Sequence, residues 1–208
     1  MLPDAGPGGG GPLVLGFDTS AAHCAAALLS GDRLVAARAE TMDKGQAERL
    51  MPLLEEMLAD AGLGWRDLAA LGVGVGPGNF TGVRIAVAAA RGLSLSLGIP
   101  AIGVNGFDAL AEGHGDTVAT VIDARRGSVY IRTPRVRAPR LLPRSDAEAE
   151  ALAHGLKLVE PGPPDLQATA IARIALRLRG TAQPRPAPLY LRDADAAPPA
   201  DPPPVLLP

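Results

Sequence analysis

The sequence predicts a mixed α/β protein of two lobes joined near Val104, and three observations carry that prediction. Apolar runs short enough for strands alternate with longer stretches of helical period. The first three runs lie close together, as in an antiparallel opening. A glycine-rich turn then stands between a strand-like run and a long apolar helix.

Leu13–Phe17, His23–Leu29 and Leu34–Ala39 are the opening runs, with Gly31-Asp32 as the turn between the last two. From Gln46 to Ala61, Leu50, Leu53, Leu54, Met57 and Leu58 recur at helical spacing, with Glu48, Glu55, Glu56 and Asp60 on the other side. Pro52 removes one backbone hydrogen bond from that helix and is expected to bend it unless the regular part begins there, and Gly62 stops it. Leu71–Val75 reads as a buried strand, 76–82 as the turn, and Val83–Leu97 as a helix ended by Gly98 and Pro100. Ala101–Val104 is the next strand, Asn105 caps a short helix to Glu112, and Val118–Ile122 and Val129–Ile131 are further strands. Asp165–Arg179 closes the series as an amphipathic helix. The expected first lobe is thus 13–104 and a smaller second lobe 105–193. Residues 1–12 read as a Gly/Pro leader without the regions of a secretory signal, and the prolines of 194–208 are too dense for helix or central strand.

An apolar fraction of 47% over 208 residues is enough for a real core, and with 3% aromatics that core rests on Leu, Val, Ile and Ala. Few aromatics disfavour a base-stacking RNA platform, and a net charge of -2 gives no global field for a polyanion. Cys24, the single cysteine, excludes an internal disulfide and a cysteine zinc site, which fits a reducing cytosol. Ile85–Ile99 is the most membrane-like stretch, yet Arg91 interrupts it, so a buried or partner-facing helix is expected and no membrane partner.

The most chemical-looking element is the turn Gly76-Pro77-Gly78-Asn79-Phe80-Thr81-Gly82 before a helix carrying Arg84. Glycines there let backbone N–H groups approach an anion at a helix start; equally, a tight turn under close packing demands them. The spacing is neither that of a Walker loop nor that of a dinucleotide fingerprint. Asp18-Thr19-Ser20 ends the first strand and has two readings as well: a group that organises a magnesium-bound water and phosphate oxygens, or an Asx/ST turn. His23, His114 and His154 share no ligand spacing and read as surface or turn residues. Arg125, Arg126, Arg132, Arg135, Arg137, Arg140 and Arg144 fall in a stretch without an acidic residue, which reads as a solvated face or an RNA contact.

Several motifs together resemble the bacterial TsaB family. They are Gly16-Phe17-Asp18-Thr19-Ser20, the helix around Glu48 to Glu56, Gly74-Val75-Gly76-Pro77-Gly78-Asn79-Phe80-Thr81-Gly82-Val83-Arg84, Gly92-Leu93 with Gly98-Ile99-Pro100, Asp123 to Tyr130, and Leu189-Tyr190-Leu191-Arg192. Asn79 stands where the family commonly has Ser and Gln46 where a His is common; the short chain implies a trimmed second lobe.

The resemblance implies an actin/Hsp70-like (ASKHA) two-lobed α/β fold without catalytic or metal-binding residues. In the catalytic relative, TsaD, a Gly-Val-Asn strand end leads to two histidines four residues apart; here Gly103-Val104-Asn105 leads to Gly106 and Leu110. It further implies a cytoplasmic scaffold that pairs with TsaD, with TsaE as third component and tRNA reached through the complex. No intrinsic cofactor is expected; a nucleotide at the partner interface, and self-pairing of the isolated chain, stay open. Partner contacts are expected from the helices 46–61 and 83–97, through Leu50, Leu53, Leu54, Met57, Val87, Ala88, Ala89 and Arg91. Two rival readings are a nucleotide-dependent kinase or ATPase using Asp18 and the 76–82 turn, and a stand-alone RNA-binding module.

Overall fold

The structure, a computed structural model, describes residues 10–191; the expected tail and nearly all of the leader lie outside the described residues. Strands β1 (Leu13–Asp18), β2 (His23–Ser30) and β3 (Arg33–Thr41) form the antiparallel opening. β4 (Leu68–Gly74) and β5 (Ala101–Val104) add in parallel, giving the order β3-β2-β1-β4-β5. β1 and β4 are buried along their whole length, so both faces of this sheet must be covered.

Helices α1 (Gln46–Asp60) and α2 (Phe80–Leu97) cover one face: Leu50, Leu53, Leu54 and Met57 pack with Val83, Ala86, Val87 and Ala90 against Leu15, Phe17 and Leu28. α1 runs through Pro52. α2 begins at Phe80, earlier than expected, because the Asn79 side chain caps it, its Oδ1 accepting from the Thr81 and Gly82 amides at 3.0 Å each. The other face is covered by α5 (Pro164–Leu178), whose Ala168, Ile171, Ala172 and Ala175 meet Val14, Ala25, Ala27 and Ala70. A Cβ on Gly16 would sit 2.6 Å from the Ala172 nitrogen, so this helix reaches the sheet only over glycine. α5 lies in the stretch expected for the second lobe, 105–193, yet it completes the first.

The second sheet, ordered β8-β7-β6-β9, is built from β6 (Val118–Asp123), β7 (Ser128–Arg132), β8 (Arg140–Pro143) and β9 (Lys157–Val159). Two helices accompany it, α3 (Gly106–Ala111), capped by Asn105 as expected, and α4 (Arg144–Ala153). β8, α4 and β9 are additions to the elements expected from sequence. A segment from Pro186 to Leu191 then joins the lobes: the Leu189 amide donates to the Val75 carbonyl at 2.7 Å, and Leu191 packs against Phe107, Ala124 and Tyr130.

Candidate functional site

The buried end of β1 carries an unexpected polar group. Asp18 Oδ2 accepts from the Ser20 amide (3.1 Å), the Ser20 hydroxyl (2.8 Å) and, at 3.5 Å, Gln167 of α5, and lies 2.9 Å from His23 Nε2. Asp18 is fully buried and His23 is 7% exposed. The expectation of His23 as a surface or turn residue is therefore corrected: it is the first residue of β2, turned inward to the carboxylate. Asp18 Oδ1 is buried without a hydrogen-bond partner among the described residues and lies against the Cα of Gly74, where a Cβ would collide with it. Beside this group Cys24 is buried in β2, and desolvation, reinforced by Glu40, pushes its thiol up to about 11, which keeps it protonated at neutral pH.

The glycine-rich turn packs directly onto that strand end. Cβ atoms on Gly78 and Gly82 would overlap the carbonyl oxygens of Ser20 and Thr19. The Asn79 amide donates to the Ser20 carbonyl at 2.6 Å, the Thr81 and Gly82 amides to the Asn79 side chain, and the Val83 amide to the Asn79 carbonyl at 2.9 Å. The amides of Asn79, Thr81, Gly82 and Val83 are thus already committed, and Gly78 and Gly82 serve close approach. Gly76 gives its carbonyl to the Gly106 amide at 2.8 Å, with Pro77 half-buried next to it. Asp18, Thr19, Ser20, Gly76, Pro77, Gly78, Asn79, Thr81 and Gly82 therefore come together as one packed joint. Arg84 stands apart from it on the outer surface.

Of the residues expected at a partner contact, Leu50, Leu53, Leu54, Met57 and Val87 are at most 3% exposed and belong to the chain's own core. That expectation is corrected, because a stripe of helical period says that a face is covered without saying by what. Ala88 and Arg91 are exposed and Ala89 is half-buried, and with Thr81, Arg84, Gly92 and Leu95 they make the outward side of α2. Leu95 is 85% exposed.

The arginine-rich stretch does not form one patch. Arg125 and Arg126, both exposed and left-handed (φ 67° and 54°), occupy the β6–β7 turn, while Arg135 and Arg137 lie in the loop after β7, at the opposite end of the hairpin. Arg132, expected as an RNA contact, is corrected to a structural role: it pairs with Asp108 at 2.7 Å and its guanidinium lies 5.5 Å from the Phe107 ring centroid. Arg140 and Arg144 pair with Glu150 and Glu160.

Among the described residues no three His, Cys, Asp or Glu side chains stand together as a metal site. Residues 39–196 match the family model described as "TsaD: tRNA N6-adenosine threonylcarbamoyltransferase". A relative from Escherichia coli K12, the tRNA threonylcarbamoyladenosine biosynthesis protein TsaB, is 38% identical over 122 residues, 56% of this chain and 52% of its own length. A solved Pseudomonas aeruginosa protein described as similar to peptidase YeaZ superposes with a TM-score of 0.65 at 25% identity, over 87% of this chain and 100% of that one. The chain belongs to the TsaB/YeaZ family. It spans about half the length of the E. coli TsaB protein that it matches. An uncharacterised Mycobacterium tuberculosis H37Rv protein is 38% identical over 89% of this chain and 94% of its own. The family's actin/Hsp70-like fold is also seen in the likeness to component A of the Acidaminococcus fermentans (R)-2-hydroxyglutaryl-CoA dehydratase, at a TM-score of 0.51, 8% identity, and coverage of 82% of this chain and 100% of that one.

Proposed function

We propose that this chain is a non-catalytic scaffold subunit of tRNA threonylcarbamoyladenosine biosynthesis. It binds a TsaD partner through α2 and activates it for threonylcarbamoyl transfer to the adenosine beside the anticodon. The observation that carries this reading is the bareness of α2, an apolar 18-residue helix of which 28% is buried. A helix this apolar needs a cover, and Ala88 and Gly92 allow a second helix to come close. The name of the E. coli relative supports the pathway. Gly106 and Leu110, standing where the TsaD pattern has its two histidines, support a subunit that leaves the metal chemistry to its partner. TsaE as third component, a nucleotide at the interface, tRNA reached through the complex and a cytoplasmic location belong to the same proposal. The committed amides of Asn79, Thr81 and Gly82 leave a kinase or ATPase with less support.

Ala88→Arg tests it. Overpacking a helix seam costs about 1–3 kcal/mol and a stranded charge more, so affinity for TsaD should fall roughly a hundredfold while the isolated variant unfolds at the parent temperature. Threonylcarbamoyladenosine should then disappear from cellular tRNA. Full TsaD affinity in folded Ala88→Arg would refute docking through α2.

A further inference from the structure

We propose that Arg84 is a preformed socket for an acidic side chain of the protein that docks on α2, an inference that rests on α2 being the docking face. Arg84 lies at the N-terminal end of the outward stripe and makes no ion pair among the described residues. Its guanidinium carbon is 3.5 Å from the Phe80 ring centroid, and its Nε donates to the Tyr190 hydroxyl at 2.8 Å. The two rings are themselves 5.2 Å apart, and each residue is 46% exposed.

Stacking and the Nε bond fix the plane of the fork and leave its two terminal nitrogens as donors without a partner among the described residues. A flat pair of N–H donors held in place fits a carboxylate at both oxygens, with little side-chain entropy left to lose. Arg, Tyr and Phe side by side at the edge of an apolar stripe is also the composition of residues that dominate protein interfaces. Charge selects the partner: α2 holds Arg84 and Arg91 and no acidic residue, so its complement is an apolar segment that carries Asp or Glu. Leu95, so fully exposed at the far end of the stripe, favours a protein cover over a nucleic acid, which would leave it against water.

The test uses the full chain with TsaD of the same cell. Arg84→Lys keeps the charge without the fork and should weaken binding roughly tenfold; Arg84→Glu should weaken it about a hundredfold. Thermal unfolding of each free variant reports folding, and Arg84→Gln, polar but shorter and uncharged, substitutes for any that fails to fold. The lysine variant also permits carbodiimide coupling, which joins an amine to a carboxylate without a spacer, and the chain's other lysines are Lys44 and Lys157. A cross-link from position 84 to an Asp or Glu of TsaD supports the socket. If Ala88→Arg abolishes binding while Arg84→Glu stays within about twofold of the parent, the socket is overturned and α2 docking stands. If both variants bind normally, both fall. If Arg84→Glu leaves TsaD affinity intact and lowers tRNA affinity of the complex, the site holds a phosphate and the socket is overturned.

Discussion

Thr19 Oγ1 donates a 2.7 Å hydrogen bond to the carbonyl oxygen of Gly82, fastening the turn after β1 to the first turn of α2. The contact is so close that Gly82 cannot carry a side chain without pushing the two segments apart. Gly82→Ala should therefore cost about 1–3 kcal/mol through overpacking, and Thr19→Val about 0.5–1.5 kcal/mol through removal of the hydrogen bond. Urea unfolding of the single and double variants checks this, and a double variant no worse than Gly82→Ala alone would show that the alanine already breaks the bond.

The Asp18–His23 pair gives a second expectation. His23→Leu removes one donor from a carboxylate that stays buried, with Ser20 and Gln167 as its remaining partners, and should destabilise by about 1–3 kcal/mol. Adding Asp18→Asn should be less than additive, since the two residues touch. Strict additivity in a double-mutant cycle would mean that the pair is not coupled.

Arg49 joins β3 to α1, donating to Glu40 and Glu56 at 2.6–2.7 Å. These bonds hold both carboxyls below their usual 4.5. A depressed folded value means that the stabilisation is present above about 4.5 and is lost as pH falls through the lower folded value. Glu40→Gln should thus be less stable than the parent at neutral pH and converge with it in acid. Glu56 is exposed and Arg49 and Glu40 are half-buried, so salt should shrink the difference in part. A gap that widens in acid would contradict the assignment.

For tRNA, Arg135 and Arg137 are the pair to change together, since Arg132 is bound to Asp108. Replacing both by Ser should lower the salt slope of tRNA binding by the complex by about one for each phosphate that is no longer neutralised, with TsaD affinity unchanged. An unaltered slope assigns this loop to solvent, and the same measurement on Arg125 and Arg126 reports on the other tip.

The first sheet was legible because β1, β2 and β4 are continuous apolar runs bounded by turn residues. α4 was not: in Arg144–Ala153 its inward residues are Ala147 and Ala151, too small and too few to mark an apolar period. β8 and β9, with 4 and 3 residues, are too short to alternate visibly. At the site, the glycine spacing announced a special turn, but only the position of Ser20 and Thr19 shows that close packing demands glycine at 78 and 82. His23 was missed because a lone histidine before a run of small residues looks like a strand's wet end. The available clue was Asp18, five residues earlier at the end of the adjoining strand. The leucines of α1 were misassigned to a partner because period gives orientation, and the covering body is a matter of tertiary structure.

Because α5 seals the inner face of β1, β2 and β4, the first lobe contains both early and late segments of the chain. On the ribosome, at roughly 5–20 residues per second, that face must wait until residues up to Leu178 have been made, with the whole second sheet emerging in between. Val14, Ala25, Ala27 and Leu29 are thus exposed for seconds in every round of synthesis. A stop codon anywhere before α5 would release a product with that surface permanently open, a substrate for chaperones and proteases rather than a working half.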